Sequence, residues 1–162
     1  MSVHIRKAGA MDARNIAELL NEIIAIGGTT AYVHDKTAQD IMRGMQVPRA
    51  AWTLAENDAG QLLGFQWIEP ARDGPDHIAD IATFVRVGGT GLGVGSALFD
   101  ATRKTAAAMG YRLIDAIIRA DNEGGLAYYQ SRNFETLKVI KGAELDDGTR
   151  VDKIWKRYNL KR

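Results

Sequence analysis

Val85-Arg86-Val87-Gly88-Gly89-Thr90-Gly91-Leu92-Gly93-Val94-Gly95-Ser96-Ala97-Leu98 is the stretch whose reading decides this chain. Five of the eight residues from Gly88 to Gly95 are glycine, more than a turn alone needs. A run of β-formers precedes them. Ala97, Leu98, Ala101 and Met109 follow on one stripe, so the segment joins a strand to a helix. Glycines let a backbone turn sharply and approach a ligand closely. The helix start adds free N–H groups and the positive end of its dipole. Phosphate or pyrophosphate is the guest such a site takes. The bland alternative is a loop that needs left-handed backbone angles and binds nothing.

Two common phosphate loops fit poorly. No lysine follows Gly95, as a P-loop requires, and Ser96 stands where a dinucleotide fingerprint has its third glycine. The loop also follows three strands instead of opening a βαβ unit. Before it, Val3–Ala8 reads as a first strand. Asp12 is placed to cap a helix carrying Ile16, Leu19, Leu20, Ile23 and Ile24, which ends near Gly27-Gly28. Thr37 and Asp40 form a capping box for a short helix to Met45. Ala51–Glu56, Leu62–Glu69 and Ile78–Val87 read as strands, with a tight turn at Asn57–Gly60. After it, Gly110 stops the helix, Leu113–Ile118 is a buried strand and Glu123–Arg132 is helical. Glu135–Gly142 and Val151–Tyr158 flank the turn signal Asp146-Asp147-Gly148. The order β-α-α-β-β-β-α-β-α-β-β gives an α/β fold, one mixed sheet with helices on both faces.

The 162 residues, with 46% hydrophobic and 25% charged, fit a single domain spanning 1–162. Lysine plus arginine number 21 against 20 acidic residues, which argues against a nucleic-acid binder working by bulk charge. There is no cysteine, hence no disulfide and no cysteine nucleophile. His4, His34 and His77 are not at metal-ligand spacing, so no metal site is expected. The start lacks the apolar core of a signal peptide, and no apolar run reaches the ~18 residues of a membrane span. The expectation is a soluble cytoplasmic protein that binds neither membrane nor nucleic acid.

A better match to the loop exists. Thr90-Gly91-Leu92-Gly93-Val94-Gly95, then Ser96, resembles the acetyl-CoA pyrophosphate loop of the GNAT N-acetyltransferase superfamily, Gln/Arg-x-x-Gly-x-Gly/Ala. Asn122 followed by Ala127-Tyr128-Tyr129-Gln130-Ser131-Arg132-Asn133-Phe134 resembles that superfamily's Asn…Leu-Tyr-Glu-Lys-Leu-Gly-Phe block, with Tyr129 on its tyrosine. The element order follows as well, so the resemblance covers nearly the whole chain. It implies a mostly antiparallel seven-stranded sheet. Ile5–Ala8 with Asp12-Ala13, Asp80–Val85, and Asp147-Gly148 with Val151-Asp152 look like the phosphinothricin acetyltransferase branch. That branch implies a homodimer by analogy. Thr90 departs from the usual Gln or Arg and loses a charge-assisted contact, for which Arg86 or Arg103 can compensate. Asn133 replaces a glycine, mildly, since Asn tolerates left-handed angles.

The resemblance implies an N-acetyltransferase moving the acetyl group of acetyl-CoA to a primary amine of a small molecule, an amino acid or an analogue, by direct attack. The other readings are a protein or peptide N-acetyltransferase and a non-catalytic acyl-CoA sensor. The amine is mostly protonated at neutral pH, so a base helps. Asp80 is the candidate base, acting through water. Glu69 is a second candidate, and Asp115 reads as structural. Tyr129 is the candidate acid or hydrogen-bond donor for the departing thiolate, while Tyr128, Trp52 and Trp67 read as core. Candidate cofactor contacts are Val85, Val87, Thr90, Gly91, Gly93, Val94, Gly95, Ser96 and Asn122. Asn122 is alternatively a plain helix cap. Thr29, Thr30 and Tyr32 are candidate acceptor contacts.

Overall fold

In chain order the elements are β1 (His4–Lys7), α1 (Ala13–Ile26), α2 (Ala38–Met45), β2 (Ala51–Glu56), β3 (Leu62–Pro70), β4 (Ile78–Val85), α3 (Val94–Ala108), β5 (Leu113–Arg119), α4 (Glu123–Ser131), β6 (Glu135–Glu144) and β7 (Arg150–Asn159). This computed structural model describes residues 2–88 and 93–160. The seven strands form one sheet in the order β1-β2-β3-β4-β5-β7-β6. Every neighbouring pair is antiparallel except β4–β5. The fold class and element order read from the sequence are the ones observed.

Both faces of the sheet are covered, which explains the long apolar runs in its centre. Ile16, Leu19, Leu20 and Ile23 lie at i, i+3, i+4 and i+7, so α1 buries one stripe against Trp52, Leu54, Phe65 and Phe84. On the other face Phe99, Ala106 and Tyr129 pack with Ile68, Ile81, Ile114 and Ile118. The capping box at α2 forms: Asp40 N–H donates to Thr37 Oγ1 (3.1 Å) and Thr37 N–H to Asp40 Oδ2 (2.8 Å).

Two local expectations need correction. Asp12 occupies the N-cap position of α1 but its side chain does not cap it. A single 3-10 turn, Ala10–Asp12, leads into the helix, and the carboxylate turns back to accept from Gly9 N–H (2.8 Å) and from both terminal nitrogens of Arg6 (3.0 and 2.7 Å). The Arg6 guanidinium holds its pKa below the usual carboxylate range. The strand expected over 78–87 stops at Val85. Arg86 N–H makes a last cross-strand bond to Leu63 O (2.8 Å), the backbone turns at Gly88 (φ 89°), and Val87 is left 70% exposed.

The feature that makes a site is the single parallel pairing. β4 and β5 are in register only over Ile78–Asp80 against Leu113–Asp115. β4 continues to Val85 against β3, and β5 continues to Arg119 against β7. Beyond Asp80 and Asp115 the two strands part.

Candidate active site

A cavity of about 790 Å³ fills the opening between β4 and β5, reaching from Asp80 and Asp115 at its vertex to Gly93, Gly95 and Ser96 at the start of α3. The edge of β4 from Ile81 to Val85 faces it without a strand partner. Tyr129, Asn122, Thr29, Thr30, Tyr32, Val85 and Val87 all line this one cavity. The sequence candidates that fall within the described residues are therefore brought together, except Val94 and Glu69.

At the vertex, Glu69, Asp80, Asp115 and Arg157 are side by side on β3, β4, β5 and β7. Residues paired across strands share a face, here the α1 face. Asp115 is 3% exposed and is held by Arg157, Nε to Oδ1 at 2.7 Å and Nη2 to Oδ2 at 3.0 Å. That confirms its structural role, although it also borders the cavity. Asp80 has no ion-pair partner among the described residues. It accepts one weak bond from Arg72 N–H (3.3 Å). Burial raises its pKa above the ordinary value, the Arg72 bond opposes that, and the neighbouring Asp115 adds to it. Glu69 is raised as well, by burial and then by Asp80. It borders a second, smaller cavity of about 170 Å³ that shares Tyr32 and Trp67 with the first. Trp67 is thus a wall between two cavities and not only core, while Trp52 is buried.

On the opposite face Tyr129 is buried, and its hydroxyl lies 2.8 Å from Thr83 Oγ1. Burial pushes the phenol well above its ordinary pKa. A thiol of pKa near ~8.5 is the stronger acid. A buried phenol of this kind stays protonated beside a thiol and is able to donate a hydrogen bond to it. Thr83 stands three residues beyond Asp80, roughly 10 Å along β4 at ~3.3 Å per residue. A base at Asp80 and a donor at this level are separated enough for the base to act through water.

At the start of α3, Gly93 is the N-cap in a left-handed conformation (φ 74°) that favours glycine. The first helical N–H bond runs from Ala97 to Gly93 O (3.0 Å). The N–H groups of Val94, Gly95 and Ser96 precede it and have no intrahelical partner. Val94 is fully buried with Leu98, Ala55 and Leu63 and does not line the cavity. Gly95 has a packing reason to be glycine beside the one the sequence suggested: a Cβ there would stand 2.7 Å from the Tyr128 ring. Tyr128, read as core, donates to Gly95 O (2.7 Å) and fixes the turn. Thr90 and Gly91 lie outside the described residues.

The two cations named for the contact that Thr90 lacks are each ion-paired. Arg86 pairs with Glu22 (2.9 Å) and Arg103 with Asp100 (2.7 Å). Arg132 is the cation at this helix start, its Nη1 donating to Ser96 Oγ at 2.8 Å. Asn122 caps α4 by accepting from Gly125 N–H (3.0 Å), and its Nδ2 donates to Thr29 O (3.1 Å). Arg119 Nη1 donates to Thr30 O (3.2 Å). The segment between α1 and α2 is thereby tied across the mouth of the cavity. Among the described residues no cluster of three His, Asp or Glu side chains is arranged to hold a metal, and no helix is long and apolar enough to cross a membrane.

Comparison with known proteins agrees with this geometry. The same fold is found in an N-acetyltransferase from Staphylococcus aureus Mu50 (22% identity, TM-score 0.89, covering 99% of this chain and 100% of that one). It is found in a GNAT superfamily phosphinothricin acetyltransferase from Sinorhizobium meliloti in complex with acetyl-CoA (20%, 0.87, 99% and 89%). It is found equally in a ribosomal-protein-alanine N-acetyltransferase from Brucella melitensis (19%, 0.86, 96% and 99%), so the fold does not discriminate between acceptors. The search of curated proteins returns no match. The acetyltransferase (GNAT) family profile matches residues 16–134. The chain belongs to the GNAT family of acetyltransferases and is an acetyl-CoA-dependent N-acetyltransferase.

Proposed function

We propose that this protein acetylates the primary amine of a small molecule, an amino acid or a close analogue, in the cleft between β4 and β5. The observation that carries the reading is the cavity joining Asp80 at the strand vertex to the free N–H groups at the start of α3. Acetyl-CoA fits it. The unpartnered edge of β4 offers backbone groups to an extended pantetheine, including those of Val85 and Val87, as a strand adds to a sheet edge. The N–H groups of Gly95 and Ser96, with Arg132 beside them, suit a pyrophosphate. When bound, the co-substrate supplies the acetyl thioester.

The chain's own groups supply the rest. Asp80 takes the amine proton through water; its raised pKa makes it a better base than an exposed aspartate. The Tyr129 hydroxyl donates a hydrogen bond to the departing sulfur. Two features favour a small acceptor over a protein terminus. Asn122 and Arg119 hold the Thr29 and Thr30 carbonyls, which narrows the entrance. Lys153 lines the cavity without a carboxylate partner among the described residues and suits the carboxylate of an amino acid. The test is thiol release from acetyl-CoA across amino acids, polyamines, aminoglycosides and peptides. Turnover confined to amino acids and analogues supports the reading. Turnover only with peptides overturns the acceptor, and CoA binding without turnover on any amine leaves a sensor domain.

A further inference from the structure

We propose that Gln66 is a positioning residue: through Thr83 it aims the Tyr129 hydroxyl proton into the cleft. The inference rests on the role given to Tyr129 above. Gln66 sits in the middle of β3, in an apolar run, and is 0% exposed. Its direction follows from counting protons. The single hydroxyl proton of Tyr128 goes to Gly95 O at 2.7 Å. The Tyr128 oxygen can then only accept from Gln66, so the amide atom 3.2 Å away is Nε2. The second Nε2 hydrogen goes to Thr83 Oγ1 at 2.8 Å. Thr83 Oγ1 thus accepts from Gln66, and the 2.8 Å contact with the Tyr129 oxygen is open to either donor; the direction that gives the Thr83 proton a partner has Thr83 donate. In that direction, which we adopt, Tyr129 accepts and its own proton points into the cavity its ring lines.

The two tyrosines are neighbours in sequence, with ring centroids 4.9 Å apart, yet the amide gives their protons different destinations. One fixes the backbone of the α3 turn and the other serves the cleft. Stability alone does not explain this amide. Its Oε1 is buried with no hydrogen-bond partner among the described residues, an arrangement that costs free energy and that an apolar side chain avoids. What Gln66 contributes is donation at two points, and both lead to the cleft.

The test compares binding of CoA with binding of desulfo-CoA by calorimetry at pH ~9, where a thiol of ordinary pKa is mostly ionised. In wild type the sulfur should favour CoA roughly tenfold, as expected for a hydrogen bond to a charged acceptor. Tyr129→Phe should abolish that preference. Thr83→Val keeps the side-chain shape without the hydroxyl and should reduce it to within about threefold of unity; Thr83→Ser should restore it. Gln66→Met should act like Thr83→Val and melt no lower than wild type, because it also removes the orphan acceptor. Should Gln66→Met fail to fold, Thr83→Val and Thr83→Ser decide. Loss in Tyr129→Phe with a full preference in Thr83→Val and Gln66→Met overturns the relay and leaves Tyr129 its role. A full preference in Tyr129→Phe overturns the role of Tyr129 itself, and the relay with it.

Discussion

On the Asp80 side of the cleft the candidate group is a half-buried carboxylate held by one weak bond, beside an Asp115 that Arg157 ties down. On the Tyr129 side the polar groups are neutral, buried and linked from Gln66 through Thr83. The first arrangement leaves a group able to titrate and tunes it by burial and by Asp115. The second fixes a dipole and makes it hard to ionise. A reaction that must remove a proton from an amine and stabilise charge on sulfur needs one of each. The two sides should therefore fail differently when mutated.

The largest effect belongs to Asp80→Asn, an expected loss of about 100-fold in turnover at pH 7, within the usual range for a positioned base. Tyr129→Phe comes next, with at least ~10-fold lower turnover, nearly unchanged acetyl-CoA affinity and a pH profile of unaltered shape. Steady-state kinetics on both variants would break the contrast if Tyr129→Phe reshaped the profile and Asp80→Asn did not. Arg132→Ala is expected to weaken CoA binding about fivefold, the scale of one exposed charged hydrogen bond. It should leave acetyl-pantetheine, which has no pyrophosphate, unaffected; equal losses on both ligands would remove Arg132 from the phosphate site.

The smallest effect is on stability. Folding raises the pKa of Asp80, so the folded state loses relative stability as pH rises through that value. Asp80→Asn removes this cost. It should melt slightly above wild type at pH 7, with the difference closing below the ordinary aspartate pKa. A variant that melts lower at pH 7 would mean that the Asp80 carboxylate stabilises the fold.

The order of elements was legible because glycines, caps and periodicity mark it locally, and Thr37 with Asp40 shows this at one helix. Tyr129 and Asn122 were named from one motif and Asp80 from the start of the Asp80–Val85 strand, and all three line the one cavity. The residues that the sequence did not reveal depend on cross-strand register. Gln66 meets Thr83 because β3 and β4 pair at those positions, and Arg132 meets Ser96 across 36 residues. One signal for Gln66 was present: a polar residue inside a run buried on both faces must find partners. Gly95 was read as a ligand contact, and the sequence did not show that the Tyr128 ring also leaves little room for a side chain there. The charge missing at Thr90 was sought near the loop in sequence, at Arg86 and Arg103, which are held by Glu22 and Asp100.

The most direct test of the account is the pH dependence of the Asp80→Asn defect, measured as the ratio of wild-type to variant turnover on one amine from pH 6 to pH 10. If Asp80 takes the amine proton, the ratio is near 100 at neutral pH and falls towards unity at about pH 10, where the free amine is abundant without help. A ratio constant across the range would contradict the account and show that the Asp80 carboxylate shapes the vertex without taking the proton.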